Sequence, residues 1–171
     1  MTDALETGPS GSLPIHERKR KFVVVVDDSP ESKVAIRFAA ARAAHTAGGG
    51  IVLFHVILPA RFQHWLGVQN RMMQESRDEA EELLRNVALG IKGYCGLTPE
   101  HCIREGDPKD EIRAYIEEEA EDIFALILGA GTGDSPGPLV DYFSGPLASS
   151  LKCPLVIVPG SLTDSAIDEL A

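Results

Sequence analysis

Apolar residues follow two alternating rhythms along the chain: short continuous runs, and longer stretches at three- and four-residue spacing. The first run, residues 21–27 (KFVVVVD), is β-branched through its centre and predicts a strand buried on both faces. Ser29 and Pro30 then predict a helix start, because an N-cap hydroxyl satisfies one orphan N–H and proline at the first position removes another. Val34, Phe38, Ala41 and Ala44 or His45 are the expected inner face of this helix, and Gly48, Gly49 and Gly50 its stop. Residues 51–58 read as a second buried strand. A long helix follows over about 68–92, with Met73, Ala80, Leu83, Leu84, Val87 and Ile91 at helical spacing and a solvated face of Glu, Asp and Arg. A shorter, more polar strand is predicted at 101–105. Gly106, Asp107 and Pro108 lead from it into a helix with Asp110 and Glu111 in its first turn and a buried stripe of Ile112, Tyr115, Ile116 and Ala120. Residues 124–128 read as the fourth strand, which ends in a glycine-rich loop, and 154–158 as the fifth.

This alternation predicts an α/β domain: an open five-stranded parallel sheet with right-handed crossovers and helices on both faces. Ligands of such sheets bind beyond the carboxyl ends of the strands, at the switch point. Asp27 after the first strand and Gly129 after the fourth stand at that kind of place. Residues 1–20, rich in Gly, Ser, Pro and charge, read as a disordered tail, 21–160 as the domain, and 161–171 as a C-terminal tail that either docks as a short helix or stays loose. No internal repeat is visible.

At 171 residues the chain suits one domain with a substantial core. Its net charge of −10 argues against nucleic acid as a main partner, since phosphate backbones need clustered Lys and Arg. The basic cluster Arg18, Lys19, Arg20, Lys21 reads as a solubilising flank before the first strand, with a membrane or nucleic-acid contact as the alternative. The start of the chain does not resemble a signal peptide, and the run at 22–26 is far too short to span a bilayer. Cys95, Cys102 and Cys153 form no CxxC pair and show no metal-ligand spacing, which predicts buried free thiols and a cytoplasmic location.

Four segments together resemble the universal stress protein family, over residues 21–159. VVVVDDSPES resembles the family's opening strand, acid, Ser and helix start; EGDPKDEI resembles its turn into the third helix. ALILGAG resembles its fourth strand and glycine loop, and CPLVIVP its closing Cys-Pro and final strand. FQHWLGV and GTGDSPGPLVDYFSG resemble a bacterial subgroup. The resemblance implies a Rossmann-like, adenine-nucleotide alpha hydrolase-like sheet of strand order 3-2-1-4-5 and a homodimer through the last strand, Leu155, Val156, Ile157 and Val158. That apolar strand carries no charge to block edge pairing, and a symmetric dimer would satisfy both exposed edges with one patch. An acidic tail folded back over the edge is the alternative.

ATP-binding members of the family carry Gly-x-x-Gly, about nine residues, then Gly-Ser or Gly-Thr, so the resemblance makes ATP with Mg²⁺ the candidate cofactor. Glycines let backbone N–H groups approach phosphate oxygens, and a following helix N-terminus adds partial positive charge. Gly129 fits the first glycine; the second is Gly131 or Gly133, at shifted spacing. Counted back from Pro154, the Gly-Ser position falls near Asp141 and Tyr142, where a carboxylate would occupy the anion site and repel phosphate. Residues 124–151 contain no Lys or Arg, while Asp134 and Asp141 add negative charge. Binding should be weak or absent unless Mg²⁺ bridges the carboxylates. The simpler account of Gly131, Gly133 and Gly137 is a loop that needs unusual dihedrals. Asp27 would face adenine or ribose, with Ser29 beside it; otherwise Asp27 bonds loop N–H groups.

Other chemistry is sparse. His55 and Cys102 lie in or beside strands, where packing is the expected role. Phe62, His64 and Trp65 form an aromatic stretch that reads either as a flap contacting a protein partner or as a hydrophobic plug. No Ser–His–Asp order, HExxH, P-loop, HxGH or SGGxDS motif is present. The expectation is a non-enzymatic, homodimeric stress-response or regulatory module with weak or absent ATP binding. The alternatives are an ATP-binding, slowly hydrolysing switch and an unrelated small-molecule enzyme on the same fold.

Overall fold

The computed structural model describes residues 19–59 and 66–170, with side chains from position 70 in the second stretch. Its elements run β1 (Arg20–Val25), α1 (Pro30–Ala44), β2 (Gly49–Ile57), α2 (Leu66–Cys95), β3 (Glu100–Glu105), α3 (Pro108–Glu118), β4 (Ile123–Ala130), α4 (Pro138–Ser144), β5 (Leu155–Pro159) and α5 (Asp164–Leu170), with a 3-10 turn Pro146–Ser149 before β5. The five strands form one sheet in the order β3-β2-β1-β4-β5, parallel throughout, as predicted.

The period of two explains the run of valines in β1. Phe22, Val24 and Val26 enter the core beneath α1 and α2, whereas Val23 faces the opposite core beneath α3 and α4. Leu53, Ile127 and Leu84 complete the first layer; Phe54, Leu126, Leu128, Ile112 and Phe143 complete the second. Each helix therefore buries one stripe, and the sheet is covered on both faces.

The inner face of α1 matches the expectation only in part: Ala41 is buried and Val34 and Phe38 pack against the core, but Ala44 and His45 do not. Ser32, Ala35, Ile36, Ala39, Ala40, Ala41 and Ala43 are buried, Val34 and Phe38 are half-buried at its flanks, and Ala44 and His45 are exposed. The small residues turn inward because they let the helix approach the sheet closely; the larger ones fill the shoulders. The cysteine expectation also needs correction. All three thiols are free, but only Cys153 is buried, while Cys95 at the end of α2 and Cys102 on edge strand β3 are half-buried.

The basic flank is built into the fold where it is described. Lys21 reaches Glu100 at 3.1 Å and Glu119 at 3.9 Å. Burial opposes the Lys21 charge, but the Glu100 hydrogen bond and the nearby carboxylates outweigh it and raise its pKa. Arg20 lies over the Phe124 ring at 5.8 Å. Arg18 lies outside the described residues, as do Phe62, His64 and Trp65. No helix among the described residues is long and apolar enough to cross a membrane.

The C-terminal segment forms a docked helix. Ile167 of α5 is fully buried, and Asp168 receives a forked pair from Arg37, Nε at 3.0 Å and Nη2 at 2.7 Å. Tyr94 donates its hydroxyl to the same carboxylate at 2.5 Å, and the Arg37 guanidinium lies 4.4 Å from the Tyr94 ring centre. Asp164 adds a second carboxylate 3.4 Å from Arg37. These contacts tie α5 to α1 and α2.

Candidate functional site

The switch point between β1 and β4 holds a cleft of about 100 Å³ at the carboxyl ends of the strands. One wall is the turn from β1 into α1, and its geometry follows from the sequence Asp27-Asp28-Ser29-Pro30. Asp27 accepts the Ser29 N–H at 2.9 Å, and Ser29, the N-cap of α1, accepts the Ser32 N–H at 3.2 Å. Ser32 closes the turn: its hydroxyl accepts the Asp27 N–H at 3.1 Å and donates to the Val25 carbonyl at 3.2 Å. Ser32 is the one buried polar side chain among the described residues. It was not anticipated; the spacing Ser29-x-x-Ser32 was its only sequence trace.

The floor is Gly129. A Cβ there would lie 2.4 Å from the Glu31 carbonyl oxygen, so glycine is required for β4 to pass the first turn of α1. This is a packing reason, independent of any phosphate. The other wall is the loop from Gly131 to Gly137, which folds on itself. Gly131 donates its N–H to the Pro136 carbonyl at 3.0 Å. Ser135 Oγ accepts the Gly137 N–H at 3.2 Å and donates to Asp141 Oδ2 at 3.2 Å. Of the three glycines expected to need unusual dihedrals, Gly137 does, with φ of +108°, whereas Gly131 and Gly133 have no positive φ.

Of the residues singled out from sequence, Asp27, Ser29 and Gly129 come together in the cleft, joined by Glu31, Ser32, Pro136, Gly137 and Pro138. Gly131, Gly133 and Asp141 do not line it. Gly133 is exposed at the loop tip, with nothing near its missing side chain. Asp141 stands in the first turn of α4, the helix start expected for it, but four positions past the N-cap Gly137. The count back from Pro154 crosses the stretch between Gly137 and β5. Two short segments occupy that stretch, and the glycine that precedes the second is Gly145, followed by Pro146. Both segments open on proline, so neither offers an N–H at its first position.

The cleft falls below the roughly 300–1,000 Å³ of small-molecule sites. Its lining among the described residues contains no Lys or Arg, and Asp27 and Glu31 give it negative charge. Among the described residues, no group of three or more His, Cys, Asp or Glu is placed to hold a metal ion. His55, near the same end of the sheet, is half-buried and donates Nδ1–H to the Val26 carbonyl at 2.7 Å.

The profile of the Universal stress protein family matches residues 19–159. No curated protein sequence matches the chain. Among solved structures it is similar to the universal stress protein UspA from Lactobacillus plantarum, with 19% identity, 82% of this chain and 98% of the other covered, and a TM-score of 0.68. A universal stress protein family protein from Arabidopsis thaliana, solved with AMP bound, is 21% identical; 82% of this chain and 91% of that one are covered, at a TM-score of 0.54. A universal stress protein in complex with cAMP is 18% identical, covering 84% and 99% of the two chains at a TM-score of 0.57. At these identities the likeness shows the fold.

Proposed function

The chain belongs to the universal stress protein family, and from that premise we propose that it is a non-enzymatic, homodimeric stress-response module of the cytoplasm whose switch-point cleft binds ATP weakly or not at all. One observation carries the reading on ATP: two donors of the loop from Gly131 to Gly137 are already engaged, Gly131 N–H on Pro136 and Gly137 N–H on Ser135, beside a small cleft whose described lining holds no cation. A phosphate drawn to these two donors would compete with their present bonds and sit near Asp27 and Glu31, with no cation in the described lining to compensate. The site also lacks an activated nucleophile or a general base paired to one, which supports a role without catalysis. For assembly, β5 is one of the two sheet edges, and Ile157 on it is 39% exposed.

A second reading is a nucleotide-responsive switch. It is favoured by the position of Asp27, Ser29 and Gly129 at the switch point and by the AMP and cAMP bound to structural neighbours. Thermal melts with millimolar ATP and Mg²⁺, AMP and cAMP separate the two. Micromolar affinity at millimolar ligand stabilises by about 4 kcal/mol, or about 8–16 °C for a domain of this size. The expected shift with ATP is under about 1 °C, with no phosphate release above buffer over hours. A shift of several degrees, enlarged in Ser135→Ala or Asp141→Asn, would establish the switch; steady phosphate release would overturn the non-enzymatic reading.

A further inference from the structure

The sheet has a second edge, β3, and its open backbone can be assigned residue by residue. Gly106 donates its N–H to the Ile57 carbonyl, and β3 runs in register with β2 throughout. Backbone groups alternate sides along a strand. Cys102 and Arg104, in step with Gly106, therefore turn theirs toward β2, while His101, Ile103 and Glu105 turn theirs to the open edge. The side chains of these same three residues lie on the α2 face, where Ile103 packs against the core. Between α2 and β3 on that face runs a trough of about 470 Å³, lined by Arg77, Glu81 and Arg85 of the helix and His101, Cys102 and Ile103 of the strand.

Charge is unevenly satisfied along this trough. At one end Arg77 reaches Glu105 Oε1 at 3.3 Å and Glu81 at 3.9 Å. From there α2 runs back against the strand direction. Eight helical residues span about 12 Å and four strand residues about 13 Å, which brings Arg85 level with His101 at the other end. Neither Arg85 nor His101 has a hydrogen bond or ion pair among the described residues, and Oε2 of Glu105 is likewise without a partner there. We propose that β3 recognises β3 of a second copy. The two strands run antiparallel about a two-fold axis at Ile103, so Ile103 meets the partner's Ile103 and His101 meets the partner's Glu105, whose carboxylate enters the trough at Arg85. On the other face Cys102 lies opposite the partner's Arg104, and Glu100 opposite the partner's Gly106, so no like charges face each other. Charges on an edge strand deter arbitrary pairing; here they single out one self-complementary register. Six paired residues bury far less than the roughly 1,200 Å² of a stable interface, so the contact is weak, with a Kd of about 0.1–1 mM. Together with pairing through β5 it extends dimers into open rows, since each chain then carries two unlike two-fold edges.

The test is sedimentation equilibrium of the full chain carrying Ile157→Lys. With the β5 contact removed, any association left belongs to β3, whether or not the parent pairs through β5. The net charge of −10 opposes self-contact at long range, so the buffer holds about 0.15 M salt, which screens charge beyond about 8 Å. A monomer is expected at ~10 μM and a reversible dimer towards ~1 mM. In the dimer, amide exchange should slow at His101, Ile103 and Glu105 and stay as it was at Cys102 and Arg104, which already bond to β2. Arg85→Glu and Glu105→Lys, each added to Ile157→Lys, should weaken the dimer at least ~tenfold by setting like charges opposite each other. An equimolar mixture of the two should restore it, because the exchanged charges meet at one end and the native pair is kept at the other. A monomer still at ~1 mM, slowed exchange that maps elsewhere, or a mixture no stronger than either variant alone would overturn the proposal.

Discussion

Replacing Gly129 with alanine should destabilise the protein through packing alone. The added methyl would sit 2.4 Å from the Glu31 carbonyl oxygen and 2.6 Å from the carbonyl carbon, both backbone atoms of the first turn of α1. Ordinary contact lies near 3.5 Å, so that turn must retreat by roughly 1 Å. It cannot retreat freely. Ser29 and Ser32 pin it to the end of β1, and the approach of Gly160 constrains it from the β5 side, where a Cβ on Gly160 would lie 2.9 Å from the Glu31 Cβ. Overpacking of this kind costs about 2–3 kcal/mol, at the upper end of its usual range, and lowers Tm by about 4–12 °C in a domain of this size. Gly133→Ala is the control. Its Cβ meets nothing and its φ is not positive, so it should be neutral or stabilise by about 0.4–1 kcal/mol through the unfolded chain. Urea unfolding followed by circular dichroism compares the two midpoints. If Gly129→Ala matches the parent within about 0.5 kcal/mol, or Gly133→Ala falls as far, the packing argument fails. The same strain makes Gly129 a poor probe of nucleotide binding, for which Ser135 and Asp141 are better chosen.

Docking of α5 should be insensitive to pH through the neutral range. The Arg37 and Tyr94 hydrogen bonds hold the Asp168 carboxyl below its usual range, so its contribution is complete above the unfolded value near ~3.9 and is lost as pH falls through the lower folded value. The hydrogen bond to Asp168, then burial, raises the Tyr94 phenol, so its contribution is complete below about 10 and is lost as pH rises through the higher folded value. The Ile167 amide resonance should therefore hold steady from about pH 5 to 9, and a transition near neutrality would refute this assignment. For assembly, light scattering at micromolar concentration should give a dimer for the parent and a monomer for Ile157→Lys, which puts a charge beside the β5 edge; a monomer mass for the parent would end the edge-pairing idea.

The sheet was legible because buried parallel strands write themselves as apolar runs, and residues 21–27 and 51–58 can scarcely be read otherwise. The face of α1 was legible only in part, for a specific reason. Helical spacing was followed through the large residues Val34 and Phe38, whereas the side turned to the sheet is made of Ala35, Ala39 and Ala43, whose virtue is small size. The glycine loop was misread in a related way. A glycine that admits a phosphate and one that admits a helix look identical in sequence, and Gly129 is distinguished only by the Glu31 backbone lying against it. Asp141 was legible as part of a helix start, but a count along the chain cannot show that two proline-initiated segments, each after a glycine, stand before β5. The α5 contacts had no local signature at all. Arg37 and Asp168 are 131 positions apart, and each alone reads as an ordinary surface charge. What turns the pair into a clasp is the burial of Ile167, which fixes the helix in place and brings Asp168 within reach of Arg37 and Tyr94. One buried isoleucine in a polar tail thus decides whether three other side chains meet.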